Sequence, residues 1–309
     1  MPPLTTRPDN LAPPAAVYVK LFLTAIFWGG TFIAGKLVAG KVGPYSAALV
    51  RFGIAVLFLL PMVYRVEGRL PLPRPGQVLP LILLGLTGVF AYNVCFFKGL
   101  ELIEASRASL IIANNPVFIA LFSALFFREP LSPKRLLGIC LSVCGAMVVI
   151  TRGEWHLIAG GGLGWGEVFI LGSVASWVTF SLVGKALLAD LPPLTAVCYA
   201  ALSGALCLAP PAWREGLGHA WTQFSLLSWG ALFYLGFFGT VLGFVWYYQG
   251  IQAIGAMKAG VFINFVPVSA IIFSFFILDE PLTASLVAGT ILVLSGVYLT
   301  NRPTKVPHH

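Results

Sequence analysis

The chain has 309 residues, of which 58% are hydrophobic and only 10% charged, against about 45–50% and roughly 25% in a soluble globular chain. So little charge does not cover a water-facing surface. That excludes an ordinary cytosolic enzyme, a disordered chain and a secreted disulfide scaffold, and leaves a polytopic membrane protein. The net charge of +8 comes from Lys and Arg scattered singly through short loops. There is no basic stripe and no nucleic-acid motif, so the excess reads as charge on cytoplasmic loops.

Residues 1–16 are proline-rich and lack the positive segment and cleavage pattern of a signal peptide, so the first apolar run reads as a membrane span. Ten runs of spanning length follow, at about 17–38, 44–64, 77–99, 105–127, 133–151, 164–188, 192–212, 225–250, 257–278 and 283–300. Lipid offers the backbone no hydrogen bonds, so each run is expected to be a helix. Pro44, Pro133, Pro192 and Pro281 stand at or near the starts of runs, where a missing N–H costs nothing. The five cysteines sit within apolar runs and form no CxxC or Cys/His ligand pattern. They read as small packing residues.

Cation placement gives direction. One side collects Arg7, Arg65, Arg69, Arg74, Arg128, Lys134, Arg135, Lys185, Lys258, Arg302 and Lys305. The other has Lys36, Lys41, Lys98, Arg107, Arg152 and Arg214. The richer side is cytoplasmic by the positive-inside rule, which places both termini there.

The chain is written twice. Arg128-Glu129-Pro130-Leu131 matches Asp279-Glu280-Pro281-Leu282 at an offset of 151, and Gly88, Gly99, Ala105, Pro116, Gly138 and Gly145 pair with Gly239, Gly250, Ala256, Pro267, Gly289 and Gly296 at the same offset. Near the start of each half, Trp28 and Lys36 match Trp177 and Lys185 at an offset of 149. The expected organisation is a first repeat over 17–152 and a second over 153–301, flanked by cytoplasmic tails at 1–16 and 302–309. Five spans per repeat is an odd number, so the second repeat enters the membrane inverted. The loops agree: 128–135 carries three cations, whereas 279–286 carries none and two carboxylates. Inverted repeats are characteristic of secondary transporters, whose halves rock about a site near the midplane. The expected fold is thus an all-α integral membrane protein of ten transmembrane helices in two five-helix inverted-topology repeats.

These motifs, with Trp28-Gly29-Gly30-Thr31-Phe32 and the stretch from Gly99 to Pro116, resemble the drug/metabolite transporter superfamily, in particular its EamA-type ten-helix exporters. The likeness covers about residues 17–300, and the aromatic content is similar to that of the branch exporting aromatic amino acids. The resemblance implies export of small metabolites, often amino acids, from the bacterial cytoplasm across the inner membrane by alternating access. Cationic drugs or other metabolites are the alternative cargo.

Candidate cavity residues are polar and aromatic side chains inside spans: Trp28 and Thr31; Tyr92, Asn93 and Phe96; Asn114 and Asn115 before Pro116; Trp177 and Ser181; Trp246 and Tyr247; and Asn264 before Pro267. The asparagines have two readings, ligand contact or repair of carbonyls freed by the proline. Arg51 is the deepest charge. It reads as a snorkelling or carbonyl-paired side chain in preference to a partner for a substrate carboxylate. Lys36 and Lys185 likewise read as snorkelling ends before anchors for helix ends or attractors of anions at a mouth. No Asp or Glu stands at the centre of a span, which favours a facilitator or exchanger over a proton antiporter. The glycines at 138, 145, 289 and 296 suit close helix packing, within one chain before between two. No catalytic constellation, metal motif or cofactor motif is present, so neither a membrane-embedded enzyme nor a channel is the expected class. The partners expected are a small-molecule substrate and the lipid bilayer, with no nucleic acid, in a monomer or homodimer.

Overall fold

Apolar runs with few charges become helices because a helix satisfies its own backbone. The computed structural model describes residues 15–127, 132–154, 164–187 and 191–301; the Arg128–Leu131 copy of the loop motif lies outside these. The spans are α1 (Ala15–Val38), α2 (Pro44–Glu67), α3 (Pro75–Leu102), α4 (Ala105–Phe127), α5 (Pro133–Ile150), α6 (Trp165–Leu187), α7 (Pro193–Arg214) and α8 (Leu226–Ile254). Then come α9, in two pieces (Ala256–Ile263 and Phe265–Leu278), and α10 (Ala284–Asn301). Among the described residues nine helices are long and apolar enough to cross a membrane, and Ala284–Thr300 is a shorter apolar helix. No strand occurs among them. Pro44 and Pro133 open α2 and α5 as expected; at α7 the opening residue is Pro193, with Pro192 as its cap.

Besides the breaks at Ala113–Asn114 in α4 and at Asn264 in α9, two spans carry wide turns. A π-helix interrupts α3 at Gly85–Ala91 and α8 at Tyr234–Leu242. The wider turn frees carbonyls and rotates the downstream face, a feature concentrated at functional sites. Both interruptions pack tightly against the other half. A Cβ on Gly88 would meet the Phe180 ring, with Cε2 at 2.8 Å, and one on Gly239 would stand 2.5 Å from Thr31 Cγ2. Gly88 and Gly239 correspond at the offset of 151, and Phe180 and Thr31 at 149. The same contact is thus made twice, α3 on α6 and α8 on α1.

Helices α5 and α10 pack on each other along their glycines. A Cβ on Gly145 would stand 2.7 Å from the Val293 amide nitrogen, and one on Gly138 at 2.7 Å from the Gly296 carbonyl. The stripe serves packing within the chain. All five cysteines are free thiols, with Cys140 and Cys144 exposed on α5.

One end of the bundle is tied across the halves. Asp279 takes a left-handed conformation (φ 54°) that closes α9. Glu280, beside it, then accepts hydrogen bonds from the Ala105 N–H at 2.7 Å, the Ser106 N–H at 2.9 Å and the Ser106 hydroxyl at 2.6 Å. Glu215, after α7, likewise accepts from the N–H groups of Tyr45 (3.2 Å) and Ser46 (2.7 Å) and from the Ser46 hydroxyl (2.8 Å). Each carboxylate belongs to the second half and caps the N-terminus of a first-half helix, where unpaired N–H groups and the helix dipole favour an anion. At the same end Arg107 pairs with Glu167 at 2.6 Å and Glu104 at 3.1 Å, and Arg152 reaches Glu104 at 3.6 Å.

Candidate functional site

A cavity of about 590 Å³ occupies the bundle centre. Its lining runs from mid-span residues of α1, α2, α4 and α9 to Lys185, Leu191 and Pro193, at the end of the bundle opposite the tied one. None of the carboxylates that tie the other end lines it. The cavity is therefore closed towards the tied end and built towards the other.

Its walls are aromatic. The indole of Trp28 lies 5.3 Å from Tyr247 and 5.6 Å from Phe244, and Trp177 lies 5.4 Å from Tyr92, 5.1 Å from Phe180 and 6.3 Å from Phe244. Trp28 donates through Nε1 to the Gly239 carbonyl at 2.9 Å, inside the α8 π-helix. The irregular turn thus fixes the indole plane.

One charge stands in this wall at mid-span. Arg51 of α2 is 7% exposed and lines the cavity. Its Nη1 donates to Asn93 Oδ1 at 2.8 Å and its Nε to Thr240 Oγ1 at 3.4 Å. Asn93, 0% exposed, donates in turn to the Val89 carbonyl at 2.8 Å. Thr240 donates to the Leu235 carbonyl at 3.0 Å. The guanidinium is therefore held from both halves, through side chains that are themselves anchored on π-helix carbonyls. This departs from the snorkelling reading: Arg51 is buried, and its partners are the side-chain oxygens of Asn93, an amide carbonyl, and Thr240, not backbone carbonyls. Among the described residues no carboxylate lies within ion-pair distance of it.

Of the residues chosen from sequence, Trp28, Thr31, Tyr92, Asn93, Asn115, Trp177, Ser181, Tyr247 and Asn264 line the cavity. Three do not. Phe96 lies one turn beyond Tyr92, stacked on it at 5.9 Å and edge-on to Phe32 at 5.5 Å, so it backs the wall from behind. Asn114 donates to the Leu110 carbonyl at 2.9 Å and accepts from the Ser142 hydroxyl at 2.7 Å. It repairs the break ahead of Pro116 and ties α4 to α5. Trp246 packs on Phe27 at 5.6 Å, on another face of α8. Arg51, Phe180, Phe244, Tyr248 and Thr240 also line the cavity and were not chosen. Phe180 and Phe244 were within reach of the repeat arithmetic; Thr240 was not, because its role depends on the π-turn. Lys36 is an anchor: its Nζ donates to the carbonyls of Leu100 (2.6 Å) and Ile103 (2.9 Å) at the end of α3, where a cation complements the helix dipole. Lys185 lies over the Phe127 ring at 4.8 Å.

The profile of one protein family, described as the EamA-like transporter family, matches residues 16–151 and matches again over 164–302. The chain belongs to the EamA-like transporter family. The chain is 30% identical over 293 residues to the uncharacterized transporter YyaM of Bacillus subtilis, spanning 95% of this chain and 96% of that protein. It is also 30% identical over 289 residues to a probable terminal-alkyne amino-acid exporter of Streptantibioticus cattleyicolor, spanning 92% of this chain and 93% of that one. A solved crystal structure shares the fold with a TM-score of 0.62 at 18% identity, over 93% of this chain and 97% of the other. This EamA-family transporter is thus a multi-pass membrane protein with a cavity at the centre of its bundle.

Proposed function

We propose that the protein exports small metabolites, namely aromatic or neutral amino acids, across the bacterial inner membrane by alternating access of two inverted repeats. The observation that carries this reading is Arg51, a buried cation on an aromatic cavity wall with no carboxylate partner among the described residues. A guanidinium forks onto a carboxylate through paired hydrogen bonds. The surrounding rings suit a planar or apolar side chain, at about 0.5–1.5 kcal/mol per good aromatic pair beyond area burial. One relative is named as an amino-acid exporter. A cationic drug would meet a like charge in the same cavity, so that alternative loses support.

The cation bias of the loops puts both termini in the cytoplasm. The tied end is then external and the cavity faces the cytoplasm, which is the loading state of an exporter. The family profile matching each half supports a duplication, and the odd number of spans per half supports inversion. Transport runs as facilitation or exchange, because Glu167, a buried carboxylate, is paired with Arg107 at the tied end and stands outside the cavity.

The test is counterflow in proteoliposomes with labelled Trp, Phe, Tyr, Met and Thr. Saturable exchange led by the aromatic members, and its loss in Arg51→Gln, is the expected result. No exchange of any of the five, or an unaffected Arg51→Gln, refutes the reading. Uphill accumulation driven by a pH gradient alone refutes the coupling part.

A further inference from the structure

The geometry points to a cavity that selects the carboxylate end of its cargo and does not require an α-ammonium group, so that aromatic monocarboxylate anions are ligands of the same site. This rests on the reading of Arg51 as a carboxylate partner. An amino acid brings two charges into the cavity. The carboxylate meets Arg51, whose fork is pre-aimed by Asn93 and Thr240. The ammonium needs its own counter-charge, because an unpaired buried ion is costly.

The lining offers it none among the described residues. Its ionisable members are the cations Arg51 and Lys185 and the phenols Tyr92, Tyr247 and Tyr248. What remains for an ammonium is aromatic faces, which give only about 0.5–2 kcal/mol, and neutral oxygens such as the amide of Asn264. Arg51, with no carboxylate partner among the described residues, is matched by one ligand carboxylate, whereas the ammonium of a zwitterion finds no counter-charge among the described lining residues. Deaminated aromatic acids keep the features the wall recognises, a carboxylate and a ring, and drop the one it does not pair. Along the chain, the carboxylate nearest a lining residue is Asp190, next to Leu191. It lies outside the described residues and enters the test for that reason.

The experiment measures binding to the purified full-length protein by calorimetry, with quenching of tryptophan fluorescence as the site readout, since Trp28 and Trp177 line the cavity. The probes are L-phenylalanine, its deaminated analogue 3-phenylpropanoate and its carboxylate-free analogue phenylalaninamide. The expected order has 3-phenylpropanoate at least as tight as phenylalanine, and phenylalaninamide weaker by about tenfold or more. In Arg51→Gln the anion is expected to lose roughly 30-fold or more, the scale for truncating one partner of a buried charged pair. Arg51→Lys, which keeps the charge, should keep the order with weaker binding. Asp190→Asn should leave the order unchanged.

Phenylalanine binding about tenfold tighter than 3-phenylpropanoate overturns the inference, because the ammonium then has a partner. Selective loss of that advantage in Asp190→Asn would identify the partner. Binding of 3-phenylpropanoate without phenylalanine supports the inference while removing amino acids as cargo. Binding of phenylalaninamide alone overturns both this inference and the carboxylate reading of Arg51.

Discussion

Glu280 receives both the backbone N–H and the hydroxyl of Ser106, 174 residues earlier in the chain, at 2.9 and 2.6 Å. A third bond comes from the Ala105 N–H. The carboxylate is buried and caps α4 from the opposite half of the molecule, so closure of this end and capping of this helix are one event. Charge-assisted hydrogen bonds contribute about 1.5–3 kcal/mol each at most. Removing the set should shift the population towards opening of the tied end. Glu280→Ala is therefore expected to increase labelling, from that side, of a reporter Ser109→Cys in a background lacking the native cysteines. Ser109 lines the cavity. Unchanged labelling would separate Glu280 from closure. If the two repeats alternate as proposed, Glu129, which corresponds to Glu280 at the offset of 151 and lies outside the described residues, has the equivalent task towards Ala256 in the reverse state. Glu129→Ala should then shift labelling in the opposite sense.

Glu104 makes the tied end sensitive to acid. Burial pushes its carboxyl up. A hydrogen bond from its own backbone N–H, with Arg107 and Arg152 nearby, outweighs burial and holds it below the ordinary 4.5. A carboxyl depressed in the folded state contributes stability above its unfolded pKa and loses it as pH falls through the folded value. The contribution is thus complete at pH 7 and fades below about pH 4.5. Glu104 is partly solvent-exposed, so screening keeps the effect modest. Thermal unfolding of the wild type and Glu104→Gln should begin to converge as pH falls below about 4.5, with the wild type the more stable at pH 7. A difference that does not narrow with falling pH would show that Glu104 acts by packing.

Asn93 tests how Arg51 is held. Asn93→Asp places a carboxylate on Nη1 of Arg51, so the guanidinium is neutralised from within. It also removes the amide donor to the Val89 carbonyl, which should cost about 1–3 kcal/mol of stability. Affinity for a carboxylate ligand is expected to fall by roughly 30-fold or more. Binding of phenylalaninamide should not fall, because the charge of Arg51 is then compensated within the wall. Equal loss for both ligands in calorimetry would indicate general damage.

Spans, repeat and cavity residues differ in how far sequence reached them. Span positions follow from composition alone, since lipid demands helices of a known length. The repeat was visible because glycines and prolines mark backbone geometry that has to be kept in both halves, as Gly88 and Gly239 show. Trp246 escaped that reasoning. A constant 3.6-residue period puts faces in the wrong register once Tyr234–Leu242 widens to a π-turn, and Tyr247 faces the cavity while Trp246 does not. Asn114 and Asn115 are adjacent and alike in sequence. Only the direction of each side chain separates backbone repair from cavity lining. The support of Arg51 was out of reach of local pattern because Asn93 and Thr240 lie 42 and 189 residues away. The caps made by Glu215 and Glu280 are long-range for the same reason.

The contact of α5 with α10 gives a prediction whose sign depends on place. Ala is a better helix former than Gly by about 0.8–1.0 kcal/mol, so a Gly→Ala change in an open position should stabilise. At Gly53 of α2 a Cβ would meet nothing within 4 Å, and Gly53→Ala is expected to raise the unfolding temperature. At Gly145 the new Cβ would stand 2.7 Å from the Val293 nitrogen and 2.9 Å from the Gly289 carbonyl. These are backbone atoms, so no rotamer change relieves the clash and the helices have to separate. Overpacking of this kind costs about 1–3 kcal/mol, which exceeds the gain in propensity. Gly145→Ala should therefore lower the unfolding temperature in detergent while Gly53→Ala raises it. If both changes shifted it in the same direction, close approach of α5 and α10 would not be what the glycine stripe provides.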